Sequence, residues 1–222
     1  VGAGKSSTAN SLVGAQGLFE ARRSAAAVTA ACHAEEAPRL GGRRVLVLDT
    51  PGFGDAAQAP AEVYAEIRRG VAELAPEGAV VSPLFVFSLQ GRVGEDDFAV
   101  VQGCEEHVFG ADSLKAAVVV WTHADALDGG LEEYLLDAGD RLRELLGRCG
   151  GSLAIDNRQR GPSPQVEAIV RRAESVAFAC RLVRQREPRT YGRRTARRQR
   201  QLEAGLLRPK VVSETGSGCA VT

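Results

Sequence analysis

Val1-Gly2-Ala3-Gly4-Lys5-Ser6-Ser7 opens the chain and decides how the rest is read, because it matches the second half of the phosphate-binding pattern G-x-x-x-x-G-K-[ST]. Glycines let the backbone turn its N–H groups onto phosphate oxygens, and the amino end of the following helix adds its dipole. In that pattern Gly2 and Gly4 shape the cradle, Lys5 reaches between the β- and γ-phosphates, Ser6 holds Mg²⁺, and Ser7 stands beside it on the phosphates. The pattern's first glycine falls two residues ahead of Val1, so the expectation is of a loop entered midway, its leading strand missing from the chain; the absence of methionine fits a fragment without an initiator. The competing reading is a chance Gly/Ser loop. Against it, Ala9, Leu12 and Val13 share one helical face just downstream, and Gly14 can end that helix.

A second stretch supports the first. Asp49-Thr50-Pro51-Gly52 ends the apolar run that begins at Val45. In a phosphate-loop fold, an aspartate at the carboxyl end of a buried strand holds Mg²⁺ through water, and the glycine that follows offers its N–H to the γ-phosphate. A strand that merely stops in a Pro-Gly turn does not account for the aspartate. Thr29 stands where a nucleotide switch keeps the threonine that closes on Mg²⁺ and the γ-phosphate, although threonine is common in strands.

Outward from these motifs, residues 28–34 and 43–49 read as strands with Gly41-Gly42 as a hairpin turn between them. Further strands are expected at 83–89, 115–121 and 152–155. Helical periodicity covers 61–74 with Val63, Ile67, Val71 and Leu74 inward, then 96–109, 131–149 and 164–183. Strand and helix alternate, so the fold class is α/β: a doubly wound, mainly parallel sheet with one antiparallel hairpin. The expected domain spans 1–180, and 181–222 forms a basic extension, helical or disordered.

Thr122-His123-Ala124-Asp125 follows a buried strand at its carboxyl end, where ligands bind in such sheets. A carboxylate there accepts hydrogen bonds from N1 and the 2-amino group of guanine, and adenine has neither donor, so Asp125 is the candidate for base choice. His123 can stack on the base. Asp156-Asn157-Arg158 follows the next strand and is expected to close over the base, with Asn157 in contact.

Composition bounds the alternatives. With 44% hydrophobic and 25% charged residues the chain is ordinary globular material, and no stretch approaches the roughly 20 apolar residues of a membrane span. Cys32, Cys104, Cys149, Cys180 and Cys219 include no C-x-x-C pair, which argues against a zinc site or a disulfide framework and for a reducing, cytoplasmic setting. The net charge of zero conceals a tail of ten arginines and Lys210 against three glutamates, on a body of opposite sign. A basic arm of this kind suits an anionic membrane, and Cys219-Ala220-Val221-Thr222 has the C-a-a-X form of a prenylation signal, although threonine is not a usual last residue. The competing reading is a solvated basic helix or arm, and no nucleic acid partner is expected.

These motifs together resemble the immunity-associated nucleotide-binding GTPases, the GIMAP/IAN family with its AIG-type G domain, relatives of septins and of the chloroplast import GTPases. The resemblance rests on G-A-G-K-S-S-T-A-N-S-L (2–12), V-T-A-A-C (28–32), D-T-P-G-F-G-D (49–55), T-H-A-D-A-L (122–127) and D-N-R (156–158). Most specific is F-S-L-Q-G-R-V-G-E-D-D-F (87–98) with H-V-F-G (107–110), although Gly94 replaces the family's usual threonine. The family implies a P-loop GTPase switch that binds GTP or GDP with Mg²⁺ and pairs as a homodimer or homo-oligomer across its nucleotide face. Phe53 occupies the neighbourhood of a water-orienting glutamine, so intrinsic hydrolysis is expected to be slow. Arg92, just past a strand on that face, is the expected catalytic group, offered to the neighbour's GTP; the competing reading pairs it locally with Glu95 or Asp96. Two alternatives stay open: a scaffold that holds GTP without hydrolysing it, and an ATP-binding protein.

Overall fold

The computed structural model describes residues 2–15, 17–21, 31–40, 43–53, 58–75, 79–159 and 163–186, without the side chains of 38–40, 43, 44 and 178–186. Thr29, the Gly41-Gly42 turn and the tail with Lys210 and Cys219 lie outside them. One compact unit covers residues 1–182, and the chain from 183 onward forms a second, of which only the end of a helix is described.

The three-stranded parallel sheet is built on its central strand. β3 (Leu84–Ser88) and β5 (Gly151–Ile155) flank β4 (Val118–Thr122), all parallel, with Ser88, Thr122 and Ile155 level at the carboxyl edge. Every residue of β4 is buried, as a strand covered on both faces must be, and this explains its unbroken V-V-V-W run. Trp121 fills one side and donates its indole N–H to Ser152 Oγ at 2.8 Å, so its polar atom is satisfied in the interior. Leu12 of α1 (Lys5–Val13) and Val166, Ile169 and Val170 of α6 (Pro164–Arg186) pack on Val118 and Val120. On the opposite face Val119 and Trp121 meet Val101 of α3 (Glu95–Cys104) and Leu145 of α5 (Asp140–Arg148).

β1 (His33–Leu40) and β2 (Arg43–Asp49) form the antiparallel hairpin. This corrects the strand expected at 28–34: it begins five residues later and runs past Pro38. Pairing decides the matter, because His33 sits opposite Asp49 and Leu40 opposite Arg43, and the register shifts between Ala37 and Leu40, where proline has no N–H to give. Among the described residues the two sheets are not hydrogen-bonded to each other. Val45 and Val47 of β2 and Leu84 and Val86 of β3 line a largely apolar cavity of about 750 Å³.

Four further expectations need correction. The helix expected at 131–149 is two, α4 (Leu131–Leu136) and α5, because Gly139 takes an extended conformation at the start of α5. Arg143 reaches back to donate to the Leu136 carbonyl at 3.1 Å, which caps the interrupted end. The helix at 96–109 closes with a wider π-turn at Glu105–Phe109, and Lys115 and Ala116 belong to a short 3₁₀ turn before β4. In α2 (Pro60–Leu74), Val63 and Ile67 are buried as expected, but Leu74 stands 40% exposed. Burial pushes the Cys104 thiol up to about 12, and Cys32 and Cys149 to about 11, which leaves three protonated, unreactive cysteines.

Candidate nucleotide site

The loop that precedes α1 has the backbone a phosphate cradle needs. Gly2 and Gly4 have φ of 84° and 87°, in the left-handed region that side chains disfavour. At Gly4 space adds to conformation, since a β-carbon there would stand 3.1 Å from Thr122 Cγ2. Thr122, 1% exposed, donates its hydroxyl to the Ala3 carbonyl at 2.9 Å and so fastens the loop to the end of β4. Sequence reading placed this threonine at the head of the T-H-A-D stretch but gave it no role; its signal is a hydroxyl at the end of an otherwise apolar strand. Thr122→Val keeps the shape and orphans the loop contact. It is expected to cost about 1–3 kcal/mol, read as a lowered urea midpoint with an unchanged slope.

Residues far apart in sequence converge at the helix start. Ser6 Oγ donates to Asp49 Oδ2 at 2.7 Å, across 43 residues, at the point where α1 begins and β2 ends. Asp49 is 4% exposed. Lys5 lies against Gly52, whose added β-carbon would meet Nζ at 3.1 Å. Burial holds the Lys5 ammonium below the ordinary lysine range, and the Asp49 carboxylate offsets this only in part. A hydroxyl and a buried carboxylate at hydrogen-bond distance are hard oxygen donors, which fits Mg²⁺, an ion that takes few protein ligands and completes its shell with water and phosphate. Ser7 contributes its carbonyl to Ser11 Oγ at 3.1 Å.

The positions expected to read the base gather at the carboxyl edge of the parallel sheet. His123 leaves β4 with φ 62°, an uncommon conformation for a non-glycine residue. Its Nδ1 lies 3.0 Å from Thr122 Oγ1 and 3.1 Å from Ser88 Oγ, so two strand ends hold the ring. Asp125 follows in a short 3₁₀ turn, and its Oδ2 is 2.9 Å from Arg158 Nη2. Asn157 is near but its side chain is engaged elsewhere: Nδ2 donates to Thr8 Oγ1 at 3.0 Å and Oδ1 accepts from Ser11 Oγ at 2.9 Å. In this form the amide expected over the base braces α1 against the end of β5.

Arg92 stands apart from these groups. It is exposed in the turn after β3, with no ion-pair partner among the described residues. Neither local pairing is present among the described residues: Glu95 is held by Arg141, and Asp96, exposed at the start of α3, makes no ion pair with Arg92. Phe53 packs on Tyr64 of α2 with ring centroids 4.7 Å apart, and Tyr64 in turn meets His107 at 5.2 Å.

A family model described as the AIG1 family matches residues 1–202. Immune-associated nucleotide-binding protein 9 of Arabidopsis thaliana is 32% identical over 183 residues, which are 79% of this chain and 52% of that protein, so the chain spans about half its length. The fold resembles that of Toc33 from Arabidopsis thaliana in complex with GDP and Mg²⁺, with a TM-score of 0.58, 20% identity, and coverage of 79% of this chain and 80% of that one. It also resembles a structure from work on the chloroplast translocon components atToc33 and psToc159, for whose GTPase activity dimerization is important; the TM-score is 0.58, the identity 19%, and each chain is 79% covered.

Proposed function

The chain belongs to the AIG1 family, and on that premise we propose that it is a guanine-nucleotide switch that binds GTP or GDP with Mg²⁺, pairs across its nucleotide face and hydrolyses GTP slowly. The observation that carries this is the 2.7 Å contact between Ser6 and Asp49, beside the Lys5 and Gly52 pair. Gly2, Gly4 and the start of α1 would receive the phosphates, Lys5 would bridge them, and Ser6 and Asp49 would hold the metal, which neutralises charge on the transferred phosphoryl group. Thr29, outside the described residues, is assigned to the same shell. Asp125 and His123 would read and stack the base.

Slow turnover follows from Phe53, whose ring lies on Tyr64 and can neither orient nor deprotonate water. Pairing across the nucleotide face draws support from Arg92, exposed and without an ion-pair partner among the described residues, and from the dimerization reported for the Toc proteins. The proposal includes a cytoplasmic setting with the basic tail and Cys219 against an anionic leaflet, supported by the charge split in the sequence.

Base choice is the direct test. With Mg²⁺ and a fluorescent GDP analogue, Asp125→Ala is expected to lose more than about tenfold in guanine nucleotide affinity, because hydrogen bonds to a charged acceptor are worth about 1.5–3 kcal/mol. Equal displacement of the probe by ADP and GDP in the unmodified protein would overturn the guanine assignment. A single-turnover assay of bound GTP separates a slow enzyme from a scaffold that never hydrolyses.

A further inference from the structure

The guanidinium of Arg158 joins two carboxylates at the base position. Nη2 lies 2.9 Å from Asp125 Oδ2, while Nε lies 3.1 Å from Asp156 Oδ1. The Arg158 backbone N–H also donates to Asp156 Oδ1, at 3.0 Å. Asp156 itself is fixed, because its backbone N–H donates to Gln165 Oε1 at 2.8 Å. Arg158 therefore has one firm anchor and one further contact, and the further contact is the carboxylate assigned to guanine.

The chemistry of the two donors is alike. The reading edge of guanine is an N–C–N fragment with parallel N–H groups, and a guanidinium presents the same fragment with a full positive charge. A carboxylate oxygen engaged by one is unavailable in the same direction to the other. We infer that Arg158 is an internal competitor for the base: in the nucleotide-free site it occupies Asp125 in place of guanine, and on binding it withdraws to Asp156. This rests on the guanine reading of the site and adds a residue that sets affinity without touching the phosphates.

The contact is exposed on its arginine side, with 71% of the Arg158 side chain accessible, so the competition is modest. An exposed pair of this kind contributes little, so Arg158→Ala and Arg158→Gln are expected to bind GDP roughly two- to fivefold more tightly than the unmodified protein in low salt. The gain should shrink as added salt screens the pair. It should also vanish in an Asp125→Ala background, where there is nothing left to compete for.

The experiment is a titration of the protein and these variants with a fluorescent GDP analogue, and with inorganic pyrophosphate as a probe of the phosphate subsite alone. Tighter GDP binding with unchanged pyrophosphate binding supports the competitor role. Weaker GDP binding in both variants would show that Arg158 positions Asp125 and would overturn the inference, as would equal binding. If the unmodified protein binds no GDP, the guanine reading falls and takes this inference with it, an outcome the unmodified arm alone identifies.

Discussion

GTP turnover by the Arg92→Ala protein is expected to fall by about 10³-fold or more with GTP affinity unchanged, the signature of a group that acts only in the transition state. Phe53 is committed to Tyr64, and a phenyl ring cannot manage the attacking water. Charge that spreads over the phosphate oxygens then calls for a cation from elsewhere, and a guanidinium suits this because it stays charged and offers several donors. Arg92 has the right surroundings: it is exposed, free of ion pairs among the described residues, and one turn past the carboxyl end of β3. Of its acidic neighbours, Glu95 is held by Arg141 and Asp97 by the Gly94 N–H, and Asp96 makes no ion pair with it among the described residues. On the proposed reading Arg92 acts on the nucleotide of a second copy, so specific activity of the unmodified protein should rise with its concentration. Mixing Arg92→Ala with a Lys5→Ala protein should restore part of the activity if the arginine works in trans. Turnover that does not change with concentration, or an Arg92→Ala protein as active as the original, would refute this.

Motifs whose meaning lies in local spacing were legible in the sequence, and contacts that depend on register were not. The G-K-S and D-T-P-G stretches predicted that Ser6 and Asp49 share a task, and they meet at 2.7 Å. The V-V-V-W run marked β4 as central because a strand covered on both faces has no polar side to show. The first hairpin strand was misplaced because V-T-A-A-C looks as strand-like as the residues after it, and only pairing with β2 selects His33–Leu40. Apolar periodicity ran across Ala138 and Gly139 and hid the break, since a period reports which side faces the core and not whether the backbone is continuous. In α1 the apolar face was read correctly, but Thr8, Asn10 and Ser11 are buried too. Asn10 binds both the N–H and the carbonyl of Phe19, while Thr8 and Ser11 take the Asn157 amide. Partners of this kind lie up to 149 residues apart, and no local pattern announces them.

Lys5→Met should separate binding from stability. Lys5 is half-buried beside Asp49 and Gly52, and desolvation outweighs the carboxylate in setting its proton affinity. Its charge is therefore a net cost to the nucleotide-free fold that phosphate oxygens would relieve. Removing one partner of a buried, hydrogen-bonded charge pair costs about 2–5 kcal/mol, so the variant should lose roughly 10²- to 10³-fold in GTP affinity whatever the base. Without nucleotide it should unfold at a temperature no lower than the unmodified protein. The pH dependence has a definite sign. Because the folded-state pKa lies below the ordinary value of 10.5, the unfolded chain binds more protons between the two, and stability of the unmodified protein rises with pH across that window. Below the window the cost is complete and constant, so the stability advantage of Lys5→Met is largest near neutral pH and closes as pH climbs toward 10.5. GTP binding should run the other way, taking up protons and weakening as the ammonium is lost. Calorimetry of GTP binding in two buffers of different ionisation enthalpy reads the uptake directly. A Lys5→Met protein that binds GTP like the original would remove Lys5 from the phosphate site.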